Sequence, residues 1–317
     1  MKIAVLADPL ESFNTQKDST FAMMREAAAR GHELYVFEQH QLLCEAGIVN
    51  AYAARVHLIE EGGSWFRKEA ANTTALSHFD AVLMRKDPPF DMEYVYSTFL
   101  LEAAQRQGAR VFNDPAAIRN HNEKLSILEF PQFTAPTMVS RDLDSLRAFH
   151  ATHGDVIFKP LDGMGGAGIF RVREDGMNLG SVIEVLTQDG RNTIMAQRYI
   201  PAISEGDKRI LLIGGKPVPY ALARIPQGGE VRGNLAAGGR GEARPLSDSD
   251  RAIAEALAPT LAARGLLLVG LDVIGHNLTE VNVTSPTCFR EIMKQTGFDV
   301  AAMFIDALEV AASKGEQ

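Results

Sequence analysis

Residues 162–168 read Asp-Gly-Met-Gly-Gly-Ala-Gly, and their surroundings narrow the fold more than any other stretch of the chain. Residues 155–159 before them read as a strand. Ile169-Phe170-Arg171-Val172-Arg173 after them alternates like a half-buried strand. Gly163, Gly165 and Gly168 satisfy Gly-x-Gly-x-x-Gly, but a dinucleotide fold needs a helix directly behind that loop. A glycine-rich loop between two strands instead lets backbone N–H groups approach phosphate oxygens without a Cβ in the way. Lys159 ends the entering strand and is placed to reach such a phosphate. A flexible turn beside a surface lysine is the plainer alternative. The Gly-Lys-Ser/Thr ending of a Walker A loop is absent.

Around this loop the chain reads as α/β. Lys2 to Ala7, Glu33 to Phe37, Asp80 to Met84 and Ala109 to Phe112 read as strands, with a helix capped by Ser19 and running to Arg30 and another from Glu93 to Gln107. Strand, helix, strand predicts a parallel sheet. No element is assigned over residues 40–78. After 122 the spacing predicts a helix over 142–153, strands over 155–159, 169–173 and 193–197, and a helix over 178–188. Ser247 with Asp250 starts a helix reaching Arg264, and 299–312 closes the chain as another. We place boundaries near 122 and 198, giving units 1–122, 123–197 and 198–317.

Composition excludes several classes. Net charge is −8, from 40 Asp and Glu against 32 Lys and Arg, with no long basic run, so a nucleic-acid surface is not expected. Two cysteines, Cys44 and Cys288, cannot build a disulfide framework and fit a reducing compartment. The apolar run Ile3–Ala7 is too short for a signal-peptide core, and nothing approaches a membrane span. We expect a cytoplasmic protein without a membrane partner. His150 and His153 read as helix-surface residues.

A carboxylate pair calls for a cation. If Gly275-His276-Asn277 is a hairpin loop, Ile274 faces Leu278, Asp272 faces Glu280, and Asn282 shares their face. Like charges opposite one another repel. Two carboxylates and an amide oxygen, however, suit magnesium, which leaves its other positions to water and phosphates. The alternative is two solvent-facing acids on an edge hairpin. Magnesium with a glycine-loop phosphate cradle implies ATP.

The second glycine cluster is 225–241, in which six of seventeen residues are glycine. No regular element tolerates that density. Arg232 and Arg240 stand in it with Asn234 between them. We expect a loop whose arginines clamp a carboxylate or phosphate; a plain linker is the alternative. Arg209 and Arg224, on apolar strands, want anionic partners, of substrate or of a salt bridge.

These features together resemble the ATP-grasp ligases, most closely the bacterial glutathione synthetases. The resemblance rests on 84–91 (Met-Arg-Lys-Asp-Pro-Pro-Phe-Asp), 122–125 (Asn-Glu-Lys-Leu), 159–166, 223–241 and 278–287 (Leu-Thr-Glu-Val-Asn-Val-Thr-Ser-Pro-Thr). It implies a parallel-sheet N-terminal α/β domain followed by a two-lobed α+β ATP-grasp fold. It also implies ATP-dependent joining of γ-glutamylcysteine to glycine through an acyl phosphate, with magnesium or manganese, in a cytoplasmic homotetramer.

By that resemblance Lys124, Lys159, Gly163, Gly165 and Gly166 hold ATP phosphates. Gln197, Tyr199 and Ile200 line the adenine, and Asp207 takes the ribose. Asp272, Glu280 and Asn282 bind metal. Arg209, Arg224, Arg232 and Arg240 act at the reacting groups, the last two also on substrate carboxylates. Ser19, Arg85, Asn234 and Ser285 are substrate contacts, and Cys288 is a small buried residue or a thiol. Another ATP-grasp carboxylate–amine ligase, of the D-alanyl-D-alanine or protein-tail type, is one alternative. A non-catalytic ATP-binding regulator is another.

Overall fold

In the computed structural model, which describes residues 1–59, 64–163, 165–228, 233, 235 and 238–313, the described strands form three sheets that follow one another along the chain. The first sheet contains β1 (Lys2–Leu6), β2 (Glu33–Phe37), β3 (Leu42–Glu45), β4 (Ile48–Leu58), β5 (Phe66–Lys68), β6 (Asn72–Ala75), β7 (Ala81–Met84) and β8 (Val111–Phe112). Strands β2, β1, β7 and β8 run parallel, as the βαβ pattern requires. β1 is covered on both faces, which is why it reads as an unbroken apolar run.

The 40–78 stretch, for which no element is assigned from the sequence, is the antiparallel extension β3 to β6. Helices α1 (Ser19–Ala29), α2 (Met92–Arg106) and α3 (Pro115–Asn120) complete this unit. Asp18, not Ser19, caps α1: its carboxylate accepts from Phe21 N at 2.7 Å. Ser19 is buried, and its Oγ accepts from Phe289 N at 3.2 Å.

The second sheet is antiparallel, in the order β11 (Phe170–Val172), β10 (Val156–Pro160), β12 (Ile194–Arg198), β9 (Thr137–Ser140). Strand β9 follows Pro131 and Pro136. One face, with Val156, Phe158, Ile194 and Ala196, packs on α4 (Leu143–His153) and α5 (Leu179–Thr187). His150 is not on the surface: it is buried and bonds Arg173 O through Nε2 at 2.9 Å. The opposite face carries Ile157, Lys159 and Gln197.

The third sheet runs β15 (Arg240–Pro245), β14 (Lys216–Ile225), β13 (Asp207–Ile213), β16 (Leu268–Ile274), β17 (Asn277–Asn282), all antiparallel. One face buries Ile210, Val269, Leu271 and Val281 in a core with α6 (Asp248–Ala263). Ser247 caps α6 in the anticipated box with Asp250. The other face divides along its length. Leu211, Ile213, Leu222 and Leu268 share a core with α7 (Phe289–Thr296) and α8 (Val300–Ser313), whereas its far end carries Asp207, Arg209, Arg224, Asp272 and Glu280.

The β16–β17 hairpin differs from expectation in register but not in outcome. Its loop is two residues, Gly275 and His276, so Ile274 faces Asn277 and Val273 faces Leu278. A bulge between Asp272 and Val273 then restores the pair Asp272–Glu280. The expected long loop over 225–241 is also shorter at its end, because Arg240 begins β15.

Candidate active site

A cavity of about 330 Å³ separates the polar faces of the second and third sheets. The second sheet contributes Ile157, Lys159, Gln197 and the loop glycines 163, 165 and 166. Gly165 and Gly166 have φ of 62° and 82°, so only glycine turns the chain there without strain. Met164 lies outside the described residues.

The two lysines bridge the sheets. Lys124, ahead of a short 3₁₀ turn, donates to Gly163 O at 2.6 Å and stands 3.6 Å from Glu280. Lys159 donates to Thr279 O at 3.4 Å. Both are buried, and burial pushes the Lys159 ammonium below its usual value. Two buried cations facing one cavity need an anion between them.

At one end the cavity is apolar, lined by Ile157, Ile169, Tyr199, Ile200, Ile203 and Ile274. Tyr199 N donates to Asp155 O at 2.8 Å. The Asp155 carboxylate grips Arg171 at 2.5 to 3.2 Å, and that guanidinium lies 3.5 Å over the Tyr199 ring. This clasp holds the backbone rim of the cavity from outside.

At the other end, cross-strand pairing sets the polar face. Arg209 opposes Asp272 and Arg224 opposes Asp207. Arg209 spans both Asp272 oxygens, Nε to Oδ1 at 2.5 Å and Nη2 to Oδ2 at 3.2 Å. Arg224 Nη2 reaches Asp272 at 2.9 Å and Asp207 at 2.5 Å. Burial alone would raise the Asp272 carboxyl, but the two guanidiniums outweigh it and hold it well below the carboxylate range. For Asp207 burial wins: despite Arg224, and aided by the nearby Asp272 and Glu280 charges, its carboxyl is pushed up to about 7. Asp207 Oδ1 is buried without a partner among the described residues.

The expected metal trio shares this face. A carbonyl only accepts, so Asn282, 3.1 Å from Gly270 O, must turn its Nδ2 there and its Oδ1 elsewhere. Glu280 is partly open to the cavity. Asp272 is shared with two arginines. Among the described residues no three His, Cys, Asp or Glu side chains converge on a metal position. The oxygen set, two carboxylates and an amide, nevertheless suits a hard cation.

Ser285, Pro286, Thr287 and Cys288 form the wall beyond Asp272. Cys288 has φ 86° and is buried, and burial raises its thiol. Ser19 and Arg85 do not line the cavity but fasten this wall. Arg85, buried, donates through Nε to Thr20 Oγ1 at 3.1 Å and through Nη2 to Pro286 O at 3.0 Å. Arg240 stands away from the cavity, exposed and 3.2 Å from Glu242. Arg232 and Asn234 lie outside the described residues.

Glu123 was not singled out by the sequence reading. It lines the cavity, and its Oε1 accepts from Thr284 Oγ1 at 2.8 Å. Burial, then the Glu280 charge, raises its carboxyl. Its position beside Lys124 in Asn-Glu-Lys was the available signal.

Two family models cover nearly the whole chain. The prokaryotic glutathione synthetase N-terminal domain matches residues 1–119 and the ATP-grasp domain of the same family matches 123–297. Similar proteins include the glutathione synthetase of Ralstonia nicotianae, 67% identical over 99% of this chain and 97% of that one. That of Vibrio cholerae is 53% identical over 98% and 97%. Among solved structures, D-cycloserine synthetase DcsG superposes with a TM-score of 0.67 at 17% identity, over 99% and 100% of the two chains. The ATP-grasp ligase PsnB, complexed with minimal precursor, Mg and ADP, superposes with a TM-score of 0.63 at 20% identity, over 98% of each. At such identities the last two speak for the fold alone. Among the described residues no helix is long and apolar enough to cross a membrane.

Proposed function

The chain belongs to the prokaryotic glutathione synthetase family, and from that premise we propose that it joins γ-glutamylcysteine to glycine at the expense of ATP, releasing ADP and phosphate. The observation that carries the reading is one arrangement. Two buried lysines and a glycine loop face, across one cavity, a sheet face bearing Arg209, Arg224, Asp272, Glu280 and Asn282.

A carboxylate is a poor acyl donor. Moving the γ-phosphoryl group of ATP onto the γ-glutamylcysteine carboxylate gives an acyl phosphate, which the glycine amine attacks with phosphate leaving. Charge and position do the work in such transfers. Lys124, Lys159 and the backbone at 163–166 hold the phosphates. The apolar end with Gln197, Tyr199 and Ile200 takes the base, and Asp207 Oδ1, without a partner among the described residues, takes a ribose hydroxyl. Arg209 and Arg224 neutralise charge on the transferring group. Asp272, Glu280 and Asn282 would hold magnesium, or manganese in its place, which supplies charge neutralisation at the phosphates. The wall at Ser285, steadied by Ser19 and Arg85, faces the acyl acceptor, with Arg232, Asn234 and Arg240 assigned to substrate by resemblance only.

The three sheets support units at 1–122, 123–197 and 198–317. Family resemblance supports a cytoplasmic homotetramer, which sedimentation would test. The function is tested by ADP release with magnesium, γ-glutamylcysteine and glycine, each omitted in turn. Release that does not depend on γ-glutamylcysteine refutes the assignment.

A further inference from the structure

We propose that Thr137 is a positioning residue: it fixes which way the Gln197 amide faces, and so makes the cavity select a 6-amino purine over a 6-oxo purine. The proposal rests on the reading of this cavity as a nucleotide site.

Register places Thr137 on β9 directly opposite Gln197 on β12, with Ile157 on the far side of Gln197. All three share the face turned to the cavity, where Ile157 and Gln197 line its apolar end. Gln197 is 4% exposed, so its amide answers to protein neighbours rather than to bulk water.

Those neighbours leave it one orientation. Thr137 Oγ1 is 2.8 Å from Ala135 O. A carbonyl oxygen can only accept, so the single hydroxyl proton of Thr137 is committed there. Toward Gln197, 2.9 Å away, Oγ1 can therefore only accept. Of the two ends of the amide only Nε2 donates, so Nε2 faces Thr137. This follows from donor and acceptor counting, independently of how the amide's N and O were assigned. Oε1, with no hydrogen-bond partner among the described residues, is left as an acceptor on the cavity side.

A fixed acceptor reads the purine 6-position. Adenine offers an exocyclic amine there and can donate. Hypoxanthine offers an oxygen, which sets two acceptors against each other and leaves both unpaired. Polar sites reject such mismatches strongly because the unpaired groups stay desolvated. Without the Thr137 hydroxyl the amide could turn over and present Nε2 to a 6-oxo purine.

The test is calorimetric binding of ADP and of IDP, with magnesium, to the full chain and to Thr137→Val and Thr137→Ser. In the unmodified protein ADP should bind at least about tenfold tighter than IDP. Thr137→Val keeps the shape and loses the hydroxyl, so the ratio should collapse toward one. Thr137→Ser restores the hydroxyl and should restore the ratio, which a merely structural role would not require. A folded valine variant with unchanged preference overturns the proposal. Should that variant not fold, equal affinities in the unmodified protein overturn it just as well. Failure of both nucleotides to bind overturns this proposal and the nucleotide reading beneath it, so the two failures are told apart.

Discussion

Replacing Gly270 by alanine tests whether the polar sheet face is a set of positions or merely a set of charges. Gly270 lies in extended β16, flanked by Leu211 on one side and Asn282 on the other. Alanine fits the backbone there, since no left-handed angle is involved. What it does not fit is Arg209. A Cβ at 270 would stand 2.9 Å from Arg209 Cδ and 3.2 Å from its Nε and Nη1. Carbon atoms in contact prefer about 3.5–4.0 Å, so the arginine stem must retreat by roughly 1 Å.

Two magnitudes then separate. The stability cost is that of mild overpacking, about 1–3 kcal/mol, reduced by the roughly 0.4–1 kcal/mol that Gly→Ala gains in the unfolded chain. Asp272 keeps Arg224 at 2.9 Å, so no buried carboxylate is orphaned. For a chain of 317 residues each kcal/mol moves the midpoint of thermal unfolding by about 1.5 °C, so it should fall by no more than about 4 °C. The catalytic cost is larger, because a group misplaced by about 1 Å can lose about 10²-fold in rate. ADP release at saturating substrates should drop by about that factor while the protein remains folded. The control is a double-mutant cycle with Arg209→Ala. If the methyl acts through Arg209, it costs nothing further once Arg209 is gone. An equal loss from Gly270→Ala in both backgrounds refutes the argument.

Glu280→Gln should raise the magnesium concentration for half-maximal ADP binding at least about tenfold with little change in melting temperature, since its only cation contact among the described residues, Lys124, is 3.6 Å away; an unchanged magnesium titration removes Glu280 from the metal set. For Asp207, a folded value pushed by burial to about 7, above its ordinary 3.8, adds stability that is complete below 3.8 and is lost as pH rises through about 7. The melting temperature of the unmodified protein relative to Asp207→Asn should therefore fall between about pH 4 and about pH 7 and level off above, and parallel curves contradict this. Gly265→Ala combines φ 79° with a Cβ 2.8 Å from Asp114 Cβ, so about 1–3 kcal/mol of stability should vanish in denaturant titrations while the rate of ADP release at saturating substrates stays intact; a lowered rate in the folded variant would tie this remote corner to the site.

What the sequence disclosed depended on how far a pattern had to reach. Features decided within a few residues were legible. The Ser247–Asp250 box, the strand-to-strand glycine loop and the apolar parallel strands all follow from local chemistry. Ser19 misled as a cap because Asp18 beside it is an equally good one, and the choice is made by the demand of Phe289 N for the Ser19 hydroxyl, 270 residues away. The β3–β6 extension was hidden because its strands alternate weakly and pair with β4 rather than announcing themselves. The site shows the limit most clearly. A period of two predicts which residues share a face only while the count of residues between them is unbroken. A bulge inserts one residue and reverses parity for everything beyond it. The third sheet has such irregularities between Ile210 and Leu212 and between Asp272 and Val273. The expected three-residue hairpin loop reached the Asp272–Glu280 pair only because a loop one residue shorter and a bulge one residue longer cancel. The bonds of Arg209 and Arg224 to Asp272 had no local trace at all, since they join strands whose mutual register is set by tertiary packing. Those two arginines lie on the residues that the metal and the phosphates would also claim. The part of the site that the sequence conceals is therefore the part in which its charges compete.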